Sequence, residues 1–106
     1  MFARIVRMKL KSDNPHEFSR VVEQEVLPIL RRQNGFRDEI TFLMSGGKEA
    51  VGISLWDQRE QADTYSRNGF QDVMKVVGKV VEGTPQVQTY EVSNSTFHHI
   101  AARVAA

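Results

Sequence analysis

The run Phe36-Arg37-Asp38-Glu39-Ile40-Thr41-Phe42-Leu43-Met44-Ser45-Gly46-Gly47-Lys48-Glu49-Ala50-Val51-Gly52-Ile53-Ser54-Leu55-Trp56 decides the fold. Its first part alternates, with Ile40, Phe42 and Met44 opposite Glu39, Thr41 and Leu43. After Gly46-Gly47 a second alternating run, Ala50 to Trp56, puts Val51, Ile53 and Leu55 on one side. A period of two marks a strand, and a Gly-Gly pair between two such runs marks a hairpin, because glycine accepts positive φ.

Upstream, Phe2 to Lys11 also alternates: Phe2, Val6, Met8 and Leu10 oppose Arg7, Lys9 and Lys11. Arg4 breaks the apolar parity, and its long side chain is expected to reach water near the chain end. The period then changes. Asp13-Asn14-Pro15 offers N-cap residues ahead of a first-turn proline. Phe18, Val21, Val22, Val26, Ile29 and Leu30 recur at helical spacing, with Pro28 expected to kink or shorten the last turns and Asn34-Gly35 to stop them.

Downstream, Asp57 and Glu60 have capping-box spacing for a short helix carrying Ala62 and Tyr65, which Asn68-Gly69 breaks. Phe70, Val73, Met74, Val77, Val80 and Val81 form a second long apolar stripe, which Gly83-Thr84-Pro85 is expected to end. Gln86 to Val92 is the last strand. The order β-α-β-β-(short α)-α-β predicts an α+β fold of ferredoxin-like type, a four-stranded antiparallel sheet with helices on one face. One domain over 1–93 and a C-terminal extension over 94–106 account for the chain. The second sheet face, mixing Ile5 and Leu43 with Arg7, Thr41 and Ser54, fits burial against another subunit or an open binding surface.

The composition excludes several classes. In 106 residues, 41% hydrophobic, wholesale disorder is ruled out. The absence of cysteine removes disulfides, zinc–thiolate sites, iron–sulfur clusters and a thiol nucleophile. A net charge of +1 with interspersed signs argues against a nucleic-acid binder, and the Glu49–Leu55 strand lacks the aromatics of an RNA-recognition fold. No signal peptide and no apolar run of about 20 residues is present, so a soluble, cytoplasmic protein without a membrane partner is expected. His16, His98 and His99 show no metal-ligand spacing, and adjacent histidines in a strand would face opposite ways. No metal is expected.

The sequence resembles the antibiotic-biosynthesis monooxygenase-like family of dimeric α+β barrels. The resemblance lies in Arg4-Ile5-Val6, in Val26-Leu27-Pro28 before Asn34-Gly35-Phe36, and in Trp56-Asp57 entering a short helix. It continues through Tyr65, Phe70 and Thr89-Tyr90-Glu91-Val92. The resemblance implies a homodimer with two facing sheets and a pocket in each subunit between sheet and helices. It further implies either oxidation of a small aromatic, quinol or anthrone-like, by molecular oxygen without a cofactor, or a non-catalytic, small-molecule-binding or stress-associated barrel. The haem-degrading branch is not matched. The first strand lacks its Asn, Tyr65 stands at its Trp position and Met74 at its His position.

Tyr65 and Trp56 are the candidate catalytic residues. A phenol in a dry pocket can stabilise an enolate or phenolate, although a helix tyrosine can equally pack its ring and wet its hydroxyl. Trp56 can wall a pocket for an aromatic ring or simply close the core edge. Phe18, Val22, Phe42, Phe70 and Met74 are the candidate substrate-lining residues, Met74 through the adaptability of its thioether. No general base is evident. Phe97 and Ile100 in the tail suggest an arm lying along a partner subunit.

Overall fold

In the computed structural model, which describes residues 1–11 and 15–98, the chain opens with β1 (Phe2–Leu10), α1 (Pro15–Val21), a π-helical turn (Val22–Val26) and α2 (Leu27–Arg31). It continues through β2 (Phe36–Leu43), β3 (Glu49–Trp56), α3 (Arg59–Arg67), α4 (Gly69–Val77) and β4 (Val81–Glu91). The strands are antiparallel in the order β2-β3-β1-β4. The helices pack on one face, which gives the ferredoxin-like α+β arrangement. The capping candidates Asp13 and Asn14, and His99 and Ile100 of the tail, lie outside the described residues.

Pro28 acts differently from the kink expected of it. It has no N–H to give the carbonyl of Gln24, and just before it the Leu27 N–H reaches back to Val22 O, five residues away. The helix absorbs the proline as a wide π turn and continues through Arg31. At the short helix, the capping box uses Gln58 and Gln61 instead of Asp57 and Glu60. Asp57 is engaged elsewhere: its N–H donates to Gly35 O at 2.8 Å, and its carboxylate pairs with Arg37. Gly35 has φ +81°, and a Cβ there would fall 1.8 Å from Oε1 of the capping Gln61. Only glycine fits both demands.

The second long helix ends earlier than its apolar stripe. Gly78 closes α4, and Val80 and Val81 enter the core from a turn and from the start of β4. The reason is strand pairing. Lys11 N–H donates to Val80 O at 2.9 Å and Leu10 pairs with Val81, so the end of β1 draws these valines into the ladder. Gly83, at φ +63°, sits where the β1–β4 register slips. Pro85 is tolerated there because β4 is an edge strand.

The register fixes which side chains share a face. Glu39, Ser54 and Arg4 stand opposite one another across β2, β3 and β1, as do Thr41, Gly52 and Val6. These two rows face the helices. The outer face carries the row Ile40, Ile53, Ile5 and the row Phe42, Val51, Arg7. Ser54, Thr41 and Leu43 are therefore on the helix side, not on the outer face where alternation had placed them. Both sides of β2 and β3 carry apolar residues, so parity alone cannot tell inside from outside. At the C-terminal end, His98 Nε2 comes within 2.7 Å of Asp38 Oδ2 at the β2 edge. No helix among the described residues is long and apolar enough to cross a membrane.

Candidate functional site

Between the sheet and the helices lies a cavity of about 60 Å³, room for a few water molecules. Phe18 of α1, Val22 and Val26 of the π turn, and Phe70 and Met74 of α4 supply its apolar side. The π turn matters here, because widening the helix sets the direction in which Val22 and Val26 meet the cavity. Gly52 leaves the sheet floor low. A Cβ at that position would lie 3.7 Å from Met8 Cε and 3.8 Å from Glu39 Oε2.

The polar side is built from the row Glu39–Ser54–Arg4, from Thr41, and from Tyr65 of α3. Arg4 does not reach water; it is 3% exposed. Its Nε–H donates to Ser66 Oγ at 2.7 Å, and Ser66 Oγ in turn donates to Ala62 O at 3.0 Å. The guanidinium lies 4.1 Å from the centre of the Phe70 ring and 5.2 Å from that of Tyr65. Aromatic faces and a hydroxyl replace part of the lost hydration. Burial lowers the Arg4 pKa and the Tyr65 oxygen raises it; the group stays cationic at any ordinary pH.

Tyr65 is 3% exposed. Burial is the main cause that pushes its phenol up to about 12, with the Arg4 charge pulling down and the Glu39 charge pushing up. At neutral pH it is a neutral hydroxyl, fit to donate a hydrogen bond to an anion. Glu39 is half-buried on β2. Burial raises its carboxyl above the usual range, and Thr41, whose Oγ1 lies 2.5 and 3.0 Å from the two carboxylate oxygens, holds it partly down.

Trp56 is fully buried, stacked on Tyr65 at 4.9 Å and edge-on to Phe36 at 5.6 Å. Its indole N–H donates to Ser54 Oγ at 2.9 Å. It backs the cavity wall without lining it, so any influence passes through Ser54 and Tyr65. Phe42 is a clear departure from expectation. It pairs with Val51 on the outer face, is 52% exposed and is remote from the cavity. Phe18, Val22, Phe70, Met74 and Tyr65 do converge. Arg4 and Glu39 went unrecognised in the sequence. The signal for Arg4 was its apolar parity, a charge where the strand points inward; Glu39 carried no comparable mark.

No protein-family model matches the chain, and no curated protein is significantly similar to it in sequence. Solved structures are similar in fold. SnoaB from Streptomyces nogalater, a cofactor-independent oxygenase, superposes with a TM-score of 0.72 at 15% identity, over 90% of this chain and 95% of its own. A Bordetella bronchiseptica protein named as a candidate antibiotic biosynthesis monooxygenase gives 0.71 at 18% identity, over 86% and 95%. A protein of unknown function from Nitrosomonas europaea gives 0.70 at 12% identity, over 99% and 94%. The chain therefore has the fold of the antibiotic biosynthesis monooxygenase structures, as the resemblance in its sequence implied.

Proposed function

We propose that this protein is a cofactor-independent oxygenase that binds a small aromatic molecule between sheet and helices and acts as a homodimer. The observation that carries the reading is one neutral phenol, Tyr65, beside one buried guanidinium, Arg4, in an otherwise largely apolar cavity. An electron-rich aromatic must become an enolate or phenolate before it can pass an electron to oxygen. A dry site with preorganised donors stabilises that anion. The fold shared with SnoaB supports the same reading. The cavity is small beside the roughly 300 Å³ and upward of typical ligand sites. Substrate entry therefore requires lining side chains to move, and a single-ring quinol fits more readily than an anthrone.

Oxygen uptake with a panel of hydroquinones and naphthols, without added metal or flavin, tests the activity. Tyr65→Phe is expected to lower turnover about 100-fold, the loss typical of one anion-stabilising donor, while binding persists. Trp56, the single tryptophan and stacked on Tyr65, reports that binding by its fluorescence. Compounds that quench Trp56 and cause no oxygen uptake would replace the oxygenase with a binding protein.

The homodimer has its own support. Ile5, Ile40, Phe42, Val51, Ile53 and Leu55 form a continuous apolar surface on the outer face, and Ile40 and Phe42 are about half exposed. A contiguous patch of this kind marks an interaction site. Phe42→Asp places a charge on this face at the edge strand β2 and is expected to turn a dimer into a monomer by native mass spectrometry. A dimer that survives it would mean the face is not the interface.

A further inference from the structure

The charge arrangement of the cavity says more than its shape. Arg4 and Glu39 stand in one row across the sheet with Ser54 between them, two strand spacings, roughly 10 Å, apart at the backbone. No ion pair joins them among those the described residues make. Of the residues lining the cavity, Arg4, Glu39 and Tyr65 are those that can carry charge. A cation and a neutral donor thus stand at one side and a carboxylate at the other, with the low Gly52 floor beside them. A buried guanidinium and a half-buried carboxylate that do not pair with each other are each costly to desolvate, and a ligand bound between them offsets both.

We infer that Glu39 is the proton acceptor of this cavity and that Arg4 and Tyr65 hold the anion left behind, so that the substrate is an enolisable ketone or a phenol. The inference rests on the cavity being the substrate site. The Glu39 carboxylate oxygen forms an O–H bond as the C–H bond next to a carbonyl, or the phenolic O–H bond, breaks. The electron pair stays on the substrate, and its negative charge settles on the oxygen facing the guanidinium and the Tyr65 hydroxyl. No oxidant enters this step. Thr41 fixes the carboxylate by its hydroxyl contact, which makes Thr41 a positioning residue. The desolvation that raises the Glu39 carboxyl also makes it a stronger base.

Anaerobic deuterium exchange isolates this step from oxygen chemistry. β-Tetralone in D2O, followed by proton NMR, is expected to lose its acidic C–H signal faster with the protein than without it. Glu39→Gln is expected to slow that exchange by about 10²–10³-fold, the usual worth of a positioned base. Affinity for β-tetralone, read from Trp56 fluorescence, should stay within about twofold. The glutamine removes a half-buried charge, so folding is not at risk. The parent's exchange rate should fall as the pH drops through a carboxyl value above the ordinary range, and Glu39→Gln should lack that limb.

Exchange unaffected by Glu39→Gln, or no acceleration by the parent protein, would overturn the assignment. Exchange that depends on Glu39 with no oxygen uptake would support it while removing the oxygenase. Oxygen uptake that is indifferent to Glu39→Gln would remove the assignment alone.

Discussion

Replacing Trp56 with alanine is expected to lower the unfolding free energy by about 3–5 kcal/mol, the range for deleting a buried large aromatic. A domain of this size holds about 5–15 kcal/mol in total, so much of its stability would go. The site explains the size of the loss. Trp56 has no exposed surface, and Tyr65 and Phe36 pack against two sides of the indole. β3, α3 and the β2 entrance all rest on it, and neither strand can collapse into the void without breaking its pairing. The Ser54 hydroxyl would also lose the N–H it accepts. Trp56→Phe keeps part of the volume and is expected to cost only about 1–2 kcal/mol. Urea unfolding followed by far-ultraviolet circular dichroism measures both. A cost below about 1 kcal/mol for the alanine variant would show that the indole is not the keystone of this end of the core.

Arg4→Met is expected to separate stability from function. A buried charge is expensive to desolvate, and an apolar side chain of similar length is often neutral or stabilising in its place. Methionine can follow the same path between Phe70 and Tyr65, where its thioether also favours aromatic contact. Ser66 loses the Arg4 donor but keeps its own bond to Ala62 O. The unfolding free energy should therefore move by no more than about 1 kcal/mol. Turnover, or affinity for an anionic ligand, should fall about 10²–10³-fold, because the cation that faces the developing negative charge is gone.

Arg4→Lys should not restore function, since an ammonium lacks both the planar face and the Nε–H that anchors the guanidinium to Ser66. The Tyr65 phenol, which the Arg4 charge pulls down, should ionise at still higher pH in Arg4→Met. An ultraviolet titration of tyrosinate reads that shift. Retained turnover in Arg4→Met would place the anion elsewhere.

Trp56 and Arg4 also show two degrees of legibility. Trp56 at a strand end, ahead of a capped helix, announced a large buried residue by position alone. Its stacking on Tyr65 followed only when α3 folded back over β3. Arg4 was visible as a charge on the inward parity of β1, and the rule that long cations reach water led to the wrong side. What keeps it inside is a set of partners from elsewhere in the chain: Ser66 from α3 and Phe70 from α4, more than 60 residues away.

Helices and strands are local. The periods, the Gly46-Gly47 turn, the Asn34-Gly35 stop and the break at Asn68-Gly69 each act through neighbours in the chain, and with the element order they determined the ferredoxin-like fold. The side a strand shows to its helices is not local. On β2, Ile40 and Phe42 face out while Glu39 and Thr41 face the cavity. That outcome depends on pairing with β3, which places Glu39 opposite Ser54 and Phe42 opposite Val51. A sheet with one apolar and one polar face would have made the direction readable, but this sheet has apolar residues on both. The sequence alone therefore determined the architecture, while its family resemblance only implied a pocket, and the residue pattern left Tyr65 open between pocket and core. Tertiary pairing decided that the carboxylate of Glu39 and the guanidinium of Arg4 would share that pocket, because only strand register brings side chains this distant in the chain onto one face.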